Sequence, residues 1–192
     1  LDGVFKEMRT GTIIAALGGL ALVLAGVTFV RTRASLIEER SSISTQWAEV
    51  DLGIQRRTDL IPILIASIRS ELREPEIFQS LGQARDAMAR SHTPQDRLDA
   101  NSKVSVAIAQ VFAAVSEHPN LKANEKLTRL RRELDVTENG ILRARRRYNN
   151  AVMSYNVHLA LFPGNIVASL AGLERDNAYF MTDPGPRSTP KV

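Results

Sequence analysis

The sequence predicts an all-α protein, in which an N-terminal transmembrane helix precedes an antiparallel up-and-down four-helix bundle with two long and two shorter helices. Three observations carry this. Thr10–Val30 is an uncharged apolar run of about 21 residues, ~31 Å as a helix, which matches the hydrocarbon thickness of a bilayer. Leu127, Leu134, Ile141, Tyr148, Tyr155 and Phe162 recur at heptad spacing beside a mostly small seam of Leu130, Thr137, Ala144, Ala151 and His158, the pattern of a long bundle helix. Aromatics are only 5% of the residues, and β-branched residues do not alternate with polar ones, so no segment reads as a sheet. The chain then divides into a flank (1–9), the span (10–30), the helical bundle (31–181) and a disordered tail (182–192).

Each element has a local cause. The span is longer than the apolar core of a signal peptide. Gly11, Ala15 and Gly19 recur along it at the spacing of small-residue helix contacts, which leaves an oligomer open. Lys6 and Arg9 flank one end and Arg31, Arg33 and Arg40 the other, so the positive-inside rule puts the bundle in the cytoplasm. The chain starts at Leu1 rather than Met, which predicts a processed N-terminus. A first long helix follows the span, with Leu36, Ile43, Trp47, Val50, Ile54, Ile61, Ile65, Ile68 and Leu72 at spacings of three and four. Pro62 should kink it without ending it. Glu74–Pro75 ends it, because a residue before proline resists the α region.

The second helix sets Ile77, Leu81, Ala84 and Met88 on one face. The third starts with Thr93 as N-cap, Pro94 in the first turn and Asp96 as its acid, carries Leu98, Ser105, Ile108, Phe112 and Val115 inward, and stops at His118–Pro119. The long fourth helix, from about Asn124, ends at Phe162–Pro163–Gly164. Since the middle helices are short, Ile166, Val167, Leu170 and Leu173 should pack on the membrane-proximal third, around Leu36, Ile43, Val152 and Leu159, or touch the bilayer surface. Tyr179–Phe180–Met181 closes the bundle.

Catalytic chemistry finds no foothold in the sequence. There is no Cys, hence no thiolate and no Cys-based metal site. His92, His118 and His158 have no ligand spacing, and Glu133 and Glu138 lack the Glu-x-x-His partners of a di-metal bundle, so no metal and no cofactor are expected. No nucleophile elbow or phosphate loop occurs, and the expectation is a non-enzyme. Two charged clusters remain as candidate interaction residues. Arg143, Arg145, Arg146 and Arg147 spread over more than half the helix circumference, so some should pair with acids such as Glu49, Asp51 or Asp99. Arg56, Arg57 and Asp59 lie beside the Pro62 kink, where an Arg–Asp pair is the simplest reading.

The blocks TQWAEVDLGIQRRTDLIPILI (45–65), HPNLKANEKLTRLRRELDVTENGILRARRRYNNAVMSYN (118–156) and FPGNIVASLAGL (162–173) together resemble the LemA family. Ile63, Gly164 and Leu173 depart from its usual Asn, Ser and Phe. The resemblance implies one N-terminal span and a cytoplasmic helical bundle, with no established catalytic residues. The lead ahead of the span is similar to that of the magnetosome-formation branch of the family (MamQ), which implies a bacterial inner membrane or a magnetosome membrane as location.

Two functions then compete. One is a membrane-anchored scaffold or adaptor that contacts the lipid bilayer through Thr10–Val30 and binds protein partners not named by the sequence. The other is an anionic lipid- or nucleic-acid-binding module that uses the arginines of the long fourth helix. The net charge of +4 and sequence pI near 9.8 support anionic partners only weakly, and nucleic acid least.

Overall fold

A computed structural model describes residues 2–176, with side chains from Ala16 onward. The described chain is all-helical: α1 (Asp2–Asp59), α2 (Ile61–Ile68), α3 (Pro75–Ala89), α4 (Pro94–Glu117), α5 (Pro119–Lys122), α6 (Glu125–Ala160) and α7 (Gly164–Ala171), with no strand among the described residues. The coda at Tyr179–Met181 and the tail 182–192 lie outside the described residues, as do the side chains of Lys6, Arg9, Gly11 and Ala15. The chain forms two compact units. Among the described residues, one comprises 2–42 with 153–176 and the other 43–152.

The expected span runs without a break into the first bundle helix as α1, 58 residues long, but α1 ends at Asp59 and the rest of the expected helix is the separate α2. Its N-terminal part is long and apolar enough to cross a membrane. There Leu17, Leu20, Leu22, Val23 and Leu24 are all exposed, as lipid-facing residues would be. Pro62 lacks the N–H that would bond to the Thr58 carbonyl, so helical pairing lapses at Leu60. Leu60 N–H instead reaches Arg57 O at 3.2 Å, and Leu64 N–H bonds back to Leu60 O at 3.0 Å. The chain bends and continues.

In the second unit the seams pack as spaced. Leu127, Leu134, Ile141 and Tyr148 of α6 are buried, as are Val50, Ile54, Ile61 and Ile68 of α1 and α2, whereas Trp47 and Ile65 are half-buried and Leu64, outside the expected seam, is buried. α3 buries Ile77, Leu81, Ala84 and Met88. α4 buries Leu98, Ile108 and Val115 of the expected stripe, leaves Ser105 and Phe112 half-buried, and buries Ala100, Val104, Ala107, Val111 and Ala114 besides, because small side chains let neighbouring helices contact both flanks of its face. Trp47 meets Tyr148 edge-on, with centroids 5.8 Å apart, and a Cβ on Gly53 would lie only 2.9 Å from Ile141 Cγ1. Rising numbers on α1 thus meet falling numbers on α6, so the two run antiparallel. α4 runs parallel to α1, with Arg97 at Asp51 and Asn101 at Arg57. α3 returns against α4, where Ser80 Oγ donates to Gln110 Oε1 at 2.8 Å.

Caps end the helices as their residues dictate. Asp96 N–H donates to Thr93 Oγ1 at 3.1 Å and Thr93 N–H to Asp96 Oδ2 at 3.3 Å, a reciprocal capping box. Asn124 Oδ1 accepts from the N–H groups of Lys126 and Leu127 and starts α6.

In the first unit, Leu36, Tyr155, Leu159, Val167 and Ala168 are buried. Val167 therefore packs inward as expected, but Ile166 and Leu170 do not; they are 51% and 72% exposed. The heptad seam also stops short of its expected end, since Phe162 is 79% exposed. α6 ends at Ala160, so Phe162 has left the helical phase that would have buried it. Tyr155 Oη donates to Glu174 O at 3.1 Å, and Asn156 and Asp176 bond to each other reciprocally. Burial is the main cause that pushes the Tyr155 phenol above its ordinary pKa; Asp176 and Glu39 add to it and Arg40 opposes it.

Tyr148→Ala should lower stability by about 3–5 kcal/mol, the range for deleting a buried large aromatic, read from denaturant unfolding of the detergent-solubilised chain. A loss under ~1 kcal/mol would mean that another face of α6 packs inward. The Thr93 bonds, side chain first and backbone second, hold the Asp96 carboxyl below its usual range. Its capping contribution is therefore present above the ordinary aspartate pKa and lost as pH falls through the lowered value. An NMR titration should show this low value, and Thr93→Ala should raise it part of the way toward the ordinary one, because the backbone N–H of residue 93 remains.

Candidate interaction site at a buried arginine

Arg57 comes from the last turn of α1, just before the Pro62 bend, and is only 5% exposed. A guanidinium cannot be left unpaired out of water, and three groups meet it. It forms an ion pair with Glu138 of α6. Its Nη1 donates to Ser105 Oγ at 2.7 Å and to Asn101 Oδ1 at 3.3 Å, both on α4. Burial lowers the Arg57 pKa, while Glu138 first and then Asp135 pull it back up. An arginine so placed stays charged throughout the physiological range.

The partner of Arg57 is Glu138 across the helix interface, not Asp59 on its own helix. Asp59 and Arg56 are both exposed and point away from this cluster. Periodicity alone could not supply the partner, because Glu138 is distant in sequence. A signal existed nonetheless: Arg57 fell on the skipped apolar heptad of the first long helix, an inward position that only a paired charge can hold.

The arginine run of α6 is not one surface. Arg147 pairs with Glu49, both about half exposed, and Arg145 is partly buried with bonds of its own. Arg143 and Arg146 are exposed. Asp51 serves Arg97 instead, at 2.5 Å, and Asp99 accepts from Gln95 at 2.9 Å. Arg131 stacks over the Phe112 ring at 5.1 Å. Of the seven candidate residues, Arg57 alone is buried, and no two of them meet in a shared site.

Among the described residues no group of His, Asp and Glu could hold a metal ion. His158 Nδ1 lies 3.0 Å from Glu39 Oε1, His118 Nδ1 lies 2.9 Å from Ala114 O, and His92 is exposed. A groove between α3 and α4 is lined by Ser80, Gln83, Ala87, Arg90, Ser102 and Lys103. It is open and carries no acid or nucleophile–base pair. The contacts of Arg57 join α1 to α4 and α6.

Glu138→Ala should cost about 3 kcal/mol, the lower end for breaking a buried pair because Glu138 is itself partly exposed. Arg56→Ala and Asp59→Ala should stay within about 0.5 kcal/mol. Urea unfolding of the three variants checks this, and equal effects at all three would show that the buried pair has no special weight.

Residues 46–192 match the sequence model of the LemA family, beginning beyond the apolar run. No curated protein matches the chain.

Proposed function

The chain belongs to the LemA family, and from that premise we propose that it is a non-enzymatic, membrane-anchored helical scaffold or adaptor. The observation that carries the reading is the single long α1, whose apolar N-terminal part is continuous with a helix of the packed domain. An up-and-down four-helix bundle is the arrangement we assign to the domain, supported by the alternating directions of α1, α3, α4 and α6 in residues 43–152. Proteins are its natural partners, since a paired and dispersed charge set offers no phosphate track. A role in forming a magnetosome membrane rests on the lead ahead of Thr10 alone.

The rival reading, an anionic lipid- or nucleic-acid-binding module, keeps Arg143 and Arg146 as exposed members of the run, since the half-exposed Arg147 is paired with Glu49. Photo-crosslinkers at exposed α3 and α4 positions in the native membrane should trap a defined protein partner whose yield persists at high salt. Arg143→Glu with Arg146→Glu should leave that yield unchanged. Loss of all binding with rising salt, or with these two substitutions, would replace the scaffold with the anionic-ligand reading.

A further inference from the structure

Phe162 is the most exposed large apolar side chain among the described residues, more so than any in the membrane-length run, and Leu161, Ile166 and Leu170 stand near it at 59%, 51% and 72%. All belong to the first unit, with the N-terminal part of α1. The His158–Glu39 contact fixes their level along α1. From Glu39 back to Val30, the end of the apolar run, is roughly 13 Å of helix. From His158 to Ala160, where α6 ends, is roughly 3 Å in the same direction, and Phe162 follows two residues on. Phe162 therefore sits within about 10 Å of the hydrocarbon edge, close to the headgroup layer that adds roughly 5–8 Å on each side of the core.

α7 begins near this level. A Cβ on Gly164 would run into the carbonyl oxygen of His158, so the start of α7 is seated directly on α6. Gly172, at φ 64°, reverses the chain, and Glu174 is held by Tyr155. The start of α7 and the chain that follows it are thus both tied to α6, at His158 and Tyr155, about one turn apart (~5 Å). Around α7, Gly164, Val167 and Ala168 face the core, Asn165 and Ser169 form a polar edge, and Ile166 with Leu170 form an apolar one. Arg31, Arg33, Arg40 and Arg175 of the same unit are exposed, as cations beside a headgroup layer would be.

We propose that the α6–α7 corner is a second membrane contact, with Leu161, Phe162, Ile166 and Leu170 inserted into the interfacial zone of the bilayer that α1 spans. The occupant follows from continuity: an apolar edge close to headgroup level, beside a span, meets lipid before anything else. The inference rests on α1 being the anchor, and its test separates the two.

The chain has no Cys, so each engineered cysteine is a unique label site. Full-length Leu22→Cys, Phe162→Cys, Leu170→Cys and Val136→Cys variants, carrying an environment-sensitive fluorophore, are reconstituted into phosphatidylcholine–phosphatidylglycerol vesicles. Nitroxide on the lipid and iodide in the water then compete as quenchers. Labels at 162 and 170 should be quenched by shallow lipid nitroxide about threefold more than the label at exposed Val136, with Leu22 quenched by deep nitroxide. Leu22 in lipid with 162 and 170 open to iodide overturns the corner contact and leaves the anchor standing. Leu22 open to iodide overturns both. Labels at 162 and 170 shielded from both quenchers also overturn it, because a protein surface then covers the corner.

Discussion

A guanidinium at 5% exposure is expensive unless it is paired, and Arg57 is paired through Nη1 with two helices besides its own, while its buried Nε has no hydrogen-bond partner. Glu138 supplies the charge; Asn101 and Ser105 supply directed acceptors. Apolar seams tolerate a slip of one turn far better than such a cluster does, since a slipped α4 or α6 would strand a buried charge. Within residues 43–152 the cluster therefore selects the register of α1, α4 and α6, while the seams supply the bulk of the burial.

The register so chosen has local consequences. It brings Gly53 against Ile141, an approach too close for a side chain, and it stacks Trp47 edge-on against Tyr148. The Pro62 bend follows Arg57 directly, so the polar cluster and the change in helix direction occupy the same turn. Two family blocks far apart in sequence, RRTDLIP and TEN, meet there through Arg57 and Glu138. Through this pair they join α1 to α6.

In the other unit the organising contact is weaker and more exposed. His158 and Glu39 hold the end of α6 beside α1, and Tyr155 and Asn156 hold the return of the chain after α7. Burial there uses one face of α7 only. Its remaining apolar edge is a property of the tertiary placement, for the same eight residues would read as an ordinary core segment if α7 had been wrapped on both sides.

Periodicity and punctuation in the sequence determined the all-helical class, the membrane-length run, the breaks at Pro75, Pro94 and Pro119, the Thr93 cap and the bulky seam from Leu127 to Tyr155. These are local quantities, set by spacing, by missing N–H groups and by side chains that reach their own backbone. Only the tertiary structure decided that Glu138 and not Asp59 answers Arg57, that Glu49 takes Arg147, and that Phe162, Ile166 and Leu170 face outward. Ion pairs between helices depend on register, and register is a sum of many contacts that no single window of sequence contains. The outward turn of Phe162 has the same origin. Heptad spacing predicts burial only while the helix lasts, and where α6 stops, its seam loses the geometry that would have kept it inside.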